Sequence, residues 1–94
     1  MNTELTDDVM KYLVPQFRFI SSLMVSHNYT ELGLIKKRIQ KGLQLGHINF
    51  YPEDSSLDIN LKSLEAEKSR EWVEALKKQL QAFIDIIEKL EANA

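Results

Sequence analysis

Five polar side chains between residues 36 and 44 are the residues of this sequence best suited to binding chemistry. They are three lysines and two glutamines: Lys36, Lys37, Gln40, Lys41 and Gln44. A lysine ammonium pairs with a phosphate, and a glutamine amide can form two hydrogen bonds with an adenine edge in the major groove of DNA. Lysine and glutamine are also the ordinary residues of a solvent-exposed helix face. The set therefore indicates either a DNA-binding face or a merely solvated one.

Patterns that would support catalysis or metal binding are missing from the sequence. It contains no cysteine, which excludes disulfides, thiolate nucleophiles and cysteine-ligated zinc. The two histidines, His27 and His47, are both expected at helix ends, where histidine can hydrogen-bond the last carbonyl groups. No glycine-rich phosphate loop or nucleophile and base motif occurs. We expect a protein that is not an enzyme, holds no metal or cofactor and has no evident small-molecule substrate.

The composition is that of one globular domain, residues 1–94, with a small core of its own. The chain is 44% hydrophobic and 28% charged, with a formal net charge of −2. That charge gives no general attraction to nucleic acid or to an acidic membrane, so DNA binding would need a local basic patch. The first eight residues are acidic where a signal peptide is basic, and no apolar stretch is long enough to span a bilayer. We expect a cytoplasmic protein without membrane contact.

The lysines and glutamines fall on a predicted helix over 31–45. Thr30 is a suitable N-cap, and Gly46 supplies the stop. At 100° per residue the polar set occupies one side of this helix, and an apolar set occupies the other: Leu32, Ile35, Ile39, Gly42 and Leu43. Gly42 lowers helix propensity, so its place on the apolar side predicts a close approach of another backbone.

The segment before this helix, residues 7–26, has helical spacing but contains a proline. Thr6 is a suitable N-cap. Pro15 cannot donate the backbone hydrogen bond to Lys11, and its ring crowds that carbonyl group. The segment is therefore one kinked helix or two helices, over 7–13 and 15–26, and the sequence leaves both possibilities open.

Residues 47–62 have the period of two that is typical of strands, and they predict a β-hairpin. Alternate positions are apolar on each side of a turn over 52–56: Ile48, Phe50, Leu57, Ile59 and Leu61. Ser63 then caps the next helix. The alternative is a helix that begins at a cap on Asp58 or Asn60, with no hairpin before it.

The C-terminal third predicts one long amphipathic helix over 64–92. Its apolar residues alternate at spacings of three and four, as in the seam of a coiled coil: Val73, Leu76, Leu80, Phe83, Ile87 and Leu90. A second row lies on the flank of this seam: Trp72, Ala75, Ala82 and Ile86. An apolar sector this wide predicts contact with the chain's own core and with a second copy, which gives a homodimer paired through the seam. The alternative is a helix that only covers its own domain.

The order of these elements resembles that of a known protein family. Residues 32–62 look like the recognition helix and wing of winged helix-turn-helix regulators, including the step Leu45-Gly46-His47-Ile48 into the first wing strand. The helix that follows is similar to the dimerisation helix of MarR-like and PadR-like members. Over residues 32–90 the resemblance implies a mainly α fold with one β-hairpin, in the order α-α-β-β-α and winged-helix-like, with a long C-terminal dimerisation helix.

Two functions follow as expectations. One is a small homodimeric DNA-binding transcription regulator of winged-helix type, which docks the helix face rather than the hairpin tip, because Glu53 and Asp54 at the tip would be repelled by phosphates. The other is a non-enzymatic accessory protein that binds another protein and has no nucleic-acid role. Salt separates the two, since DNA binding through lysines weakens steeply with ionic strength.

Overall fold

The computed structural model of the chain describes residues 3–51 and 54–93. Within these residues it contains helices α1 (Thr3–Gln16), α2 (Arg18–Val25) and α3 (Tyr29–Leu45), strands β1 (His47–Tyr51) and β2 (Asp54–Asn60), and helices α4 (Leu61–Glu67) and α5 (Arg70–Ala92). The expected class is confirmed: the chain is mainly helical, with one antiparallel hairpin and a long C-terminal helix.

The first predicted helix is divided, and the division comes after Pro15. The helix α1 begins at Thr3, before the expected cap at Thr6, and includes Pro15 in its last turn. Phe17 leaves helical geometry with φ −108° and ψ 13°. Its ring is buried and stacks on Phe83 with the centroids 4.9 Å apart. The break at Phe17 therefore lies where its ring can stack on α5. The local sequence around Pro15 does not specify this contact.

The N-terminus of α3 is capped by a residue other than the predicted one, whereas its C-terminus ends at the predicted glycine. Asn28, not Thr30, is the N-cap, because its Oδ1 accepts a hydrogen bond from the N–H of Glu31 at 3.3 Å. At the C-terminus Gly46 has φ 83°, a left-handed conformation, and its N–H donates to the Gly42 carbonyl at 2.7 Å. The predicted glycine stop is confirmed.

The hairpin is present but shorter than predicted. The helix cap at Asn60, considered as an alternative to the hairpin, is also present. Ile48 pairs with Ile59, and both side chains are fully buried. The second strand ends at Asn60, whose Oδ1 accepts from the N–H of Ser63 at 3.0 Å and so caps α4. Ser63 is therefore not the cap. At the expected turn, Pro52 and Glu53 lie outside the described residues.

The predicted unbroken helix over 64–92 is wrong, because the chain leaves helical geometry between α4 and α5. Ser69 is extended, with φ −179° and ψ 166°, and its Oγ accepts from the N–H of Trp72 at 3.0 Å. Ser69 is thus the N-cap of α5, a role that competes with its continuing a helix. The break lets α4 turn Leu61 and Leu64 into the core.

The core lies around α5, which contacts α1, α3 and α4. Its largest fully buried side chains come from α1, α3, α5 and the hairpin: Leu13, Leu32, Ile35, Ile39, Ile48, Ile59, Leu76, Leu80, Ile84 and Ile87. Gly42 is buried against β1, since a Cβ there would lie 2.8 Å from the Cα of Ile48. The predicted close backbone approach is confirmed.

The seam expected to join two copies packs instead within one chain. Val73, Leu76, Leu80 and Ile87 are at most 2% exposed, and Phe83 and Leu90 are partly buried against the same core. These positions belong to the helix face that covers the chain's own α1 and α3, as in the alternative interpretation. Val73, Leu76, Leu80 and Ile87 are therefore not accessible to a second copy. No helix among the described residues combines the length and the apolar character needed to cross a membrane.

Candidate nucleic-acid interface

One side of α3 is fixed by the core, and the other side faces solvent. Leu32, Ile35 and Ile39 are at most 1% exposed, and Gly42 is also buried. Opposite them, four of the five predicted binding residues are exposed: Lys37, Gln40, Lys41 and Gln44. We call these four residues the outer face of α3. They lie on a rigid helix whose rotation about its own axis is set by the buried side.

Lys36, the fifth predicted residue, does not belong to this face. Its Nζ lies 2.6 Å from Oε1 of Glu91 in the last turns of α5, and only 18% of its side chain is exposed. The reason is angular, since Lys36 follows Leu32 by four residues and so lies only about 40° from a fully buried position. The prediction is corrected on this point: Lys36 ties α3 to α5, and its charge is already paired.

Glu91 borders the outer face on its α5 side. A Cβ at Gly33 would lie 3.3 Å from Oε2 of Glu91, so the carboxylate rests over the helix between Gly33 and Lys36. Apart from this carboxylate, the described charges that α3 presents are mainly positive: Lys37, Arg38 and Lys41, with Glu31 in the first turn. The local charge is thus concentrated toward the C-terminal half of the helix.

Two large apolar side chains of α3 and one at the end of α2 are exposed, and the sequence patterns did not predict them. Leu34 is 47% exposed and Leu45 is 68% exposed, both on α3. Val25, at the end of α2, is 81% exposed. A signal for Leu34 was available, because a residue two positions after Leu32 lies about 200° around the helix from it. The surface therefore has both cationic and apolar character.

The outer face follows a short turn between two packed helices. Helices α2 and α3 contact each other and are joined by residues 26–28. In this turn His27 is left-handed with φ 57°, and its Nδ1 and the Tyr29 hydroxyl lie 2.8 Å apart in a hydrogen bond. Helices α2 and α3 are therefore two packed helices joined by a three-residue turn, and α3 is the second of the pair.

The C-terminal end of α3 meets the base of the hairpin in a shallow groove of about 170 Å³. Arg38, Lys41 and Leu45 line it from the helix, and His47 and Asn49 line it from β1. Across the hairpin, Nε2 of His47 lies 3.8 Å from Oδ1 of Asp58, and both side chains are well exposed. The groove extends the outer face toward the first strand and adds a third cation, Arg38, to Lys37 and Lys41.

The chemistry that this surface can perform is hydrogen bonding and charge pairing. Among residues 3–51 and 54–93, no group of three or more histidine, aspartate or glutamate side chains is placed to hold a metal ion. The buried residues of this part of the chain are all apolar or glycine, with no buried charged side chain. Comparison of the chain with protein-family models, with curated proteins and with solved structures found no match.

Proposed function

We propose that the chain is a small DNA-binding regulator that docks the outer face of α3 in the major groove. The observation that carries the proposal is the exposure of Lys37, Gln40, Lys41 and Gln44 together on one side of a helix whose other side is locked in the core. A major groove admits one α-helix, and a helix of 17 residues is about 26 Å long, enough to cross it.

The lysines and glutamines of this face are suited to two different kinds of DNA contact, to phosphates and to base edges. Lys37 and Lys41 are one helical turn apart and can pair with phosphates on the groove edge. Gln40 and Gln44 form a neighbouring pair with the same spacing and can hydrogen-bond base edges. Exposed Leu34 and Leu45 add apolar groups of the kind that contact thymine methyl groups. Helices α2 and α3 are joined by a three-residue turn, as are the two helices of a helix-turn-helix motif, and this also supports the proposal.

Binding to another protein is the second candidate, and the exposed apolar residues favour it. Leu34 and Leu45 are large hydrophobic side chains exposed on the same helix as these lysines, and Val25 is exposed at the end of α2. Apolar side chains inside a polar and charged rim are typical of a protein interface. Such an interface would depend on Leu34 and Leu45 more than on Lys37 and Lys41, and it would respond little to salt.

A titration with mixed-sequence duplex DNA at two salt concentrations tests the leading proposal. We expect the parent protein to bind at low salt and to weaken as salt rises, because lysines on phosphates displace condensed counterions. The variant K37Q/K41Q should bind more weakly, and the slope of log K against log salt should become shallower by about one for each lysine removed. Fluorescence anisotropy of labelled DNA measures both quantities.

The matched control is K11Q/K77Q, which removes the same charge from α1 and α5. Lys11 is exposed, and Lys77 makes only a 3.5 Å contact with Glu74. This variant should retain the affinity and the salt slope of the parent. Equal binding by K37Q/K41Q and the parent would show that the outer face does not contact DNA. If the parent did not bind DNA at low salt, the DNA-binding proposal would be wrong and protein binding would be the remaining candidate.

A further inference from the structure

We propose that two copies of this chain pair antiparallel through the side of α5 that faces away from α3. The surface consists of Ala75, Ala82 and Ile86, which we call the outer row of α5. Ala82 is exposed, Ala75 is partly exposed, and Ile86 keeps 45% of its surface in solvent although it is a large apolar residue. This pairing does not depend on whether the chain binds DNA.

The position of the outer row keeps self-association separate from the outer face of α3. Ala82 precedes Glu91 by nine residues, which places the two roughly 180° apart around the helix axis. Glu91 contacts Lys36 of α3, so the outer row points the opposite way. A second copy on the outer row therefore leaves Lys37 and Lys41 of both copies uncovered.

A groove beside the outer row is placed to receive an apolar side chain from the second copy. The start of α1 and the first half of α5 enclose about 730 Å³, with Leu5, Ala75, Lys78 and Gln79 among the lining residues. If Ala82 lies opposite Ala82, an antiparallel partner puts Ile86 opposite Lys78, since these residues are four positions to either side. Ile86 of each copy then enters the groove of the other, in two identical contacts related by a two-fold axis.

The charges that flank the outer row are complementary to a second copy only in the antiparallel direction. The exposed charges on this flank of α5 are Glu71, Glu74, Lys78, Asp85 and Lys89. The antiparallel arrangement places Lys78 beside Asp85 of the second copy and Glu74 beside Lys89 of the second copy. In a parallel pair in register this flank would face the opposite flank of the second copy, where Ala75, Gln79 and Ile86 offer no charge to pair with. The pattern thus selects a second copy and its direction.

Sedimentation equilibrium of the parent and of I86K tests the surface. The parent should be a dimer at tens of micromolar protein, and I86K should raise the dissociation constant by about a hundredfold or more, because the apolar contact is lost and the new lysine lies opposite Lys78 of the second copy. Helical circular dichroism should be unchanged in I86K, since Ile86 is outside the core. The charge reversal K78E should also weaken the dimer, and K78E/D85K should restore it.

Cross-linking gives a geometric test that needs no change of charge. The chain has no cysteine, so A82C introduces a single thiol next to the two-fold axis. A82C should form a disulfide-linked dimer under mild oxidation. The matched control Q81C places a thiol on the same level of α5 but about 100° around it, and should not cross-link.

The outcomes separate this inference from its competitors and from the proposed function. If the parent is monomeric at these concentrations, self-association through the outer row is wrong. A different protein would then be the remaining candidate to bind the outer row. A dimer that survives I86K, or that cross-links no better through A82C than through Q81C, would overturn this surface. DNA binding is measured separately, so neither result depends on it.

Discussion

At the scale of single residues, one tertiary contact decides whether a charged side chain is free to bind. Lys36 and Lys37 are adjacent lysines with the same side chain and similar local sequence. Lys37 is exposed, whereas Lys36 is paired with Glu91, a residue 55 positions away along the chain. A lysine already paired with a carboxylate contributes less to phosphate binding, because that ion pair must first be broken. The binding face is therefore smaller than the lysine count of α3 indicates.

Two glycines of the same helix should respond in opposite ways to alanine, and this is the prediction at residue scale. In G42A the new methyl group would meet the backbone of Ile48, with 2.8 Å to its Cα, so β1 must shift. We expect G42A to lower the free energy of unfolding by about 1–3 kcal/mol, as overpacked cores do. In G33A the methyl group meets only the movable carboxylate of Glu91 at 3.3 Å. G33A should be neutral or stabilising by up to about 1 kcal/mol, from helix propensity.

Urea unfolding followed by circular dichroism measures this difference between G42A and G33A. Both variants gain the same intrinsic propensity, so the contrast isolates the packing at Gly42. Equal stabilities for the two variants would contradict the close approach of β1 to α3.

At the scale of elements, caps and packing decide where helices begin and end. The spacing from Val73 to Leu90 marks the face of α5 that packs on the core, but the sequence pattern did not reveal the break at Ser69. A serine can lie within a helix or cap one, and both are compatible with its neighbours. Packing decides whether Ser69 continues a helix or caps one. With the break at Ser69, Leu61 and Leu64 of α4 are buried in the core.

The helix break gives a prediction that distinguishes two serines. S69A should destabilise the chain by about 1 kcal/mol, because the N–H of Trp72 loses its hydrogen-bond acceptor. S63A should change stability by less than about 0.5 kcal/mol, because Ser63 is exposed and Asn60 provides the cap of α4. Chemical denaturation of the two variants checks the prediction. A larger loss in S63A than in S69A would show that the long helix begins at Ser63 as the sequence had indicated.

At the scale of the whole molecule, α5 has two apolar surfaces with different roles. Its seam is the centre of the core, and its outer row lies at the surface. L80E should unfold the chain even as a monomer, because Leu80 is fully buried and a carboxylate there would have no partner. I86E should keep the helical circular dichroism of the parent. A folded L80E monomer would place the seam at an interface rather than in the core.

Sequence by itself determined which residues share a face of an element. The spacing in α3 separates the buried Leu32, Ile35 and Ile39 from the exposed lysines and glutamines other than Lys36, and the alternation in the hairpin directs Ile48 and Ile59 inward. These features are local, because helix and strand geometry fix them within a few residues. The stop at Gly46 is local for the same reason, since it needs only a left-handed backbone.

What covers each face was decided only by the tertiary structure. The seam of α5 could have met a second copy, and it meets the chain's own α1 and α3. Phe17 and Lys36 likewise take their places through contacts with Phe83 and Glu91, which lie far away in sequence. An apolar or charged pattern predicts whether a face will be buried or will pair with an opposite charge. The three-dimensional path of the chain decides which residue or element it contacts.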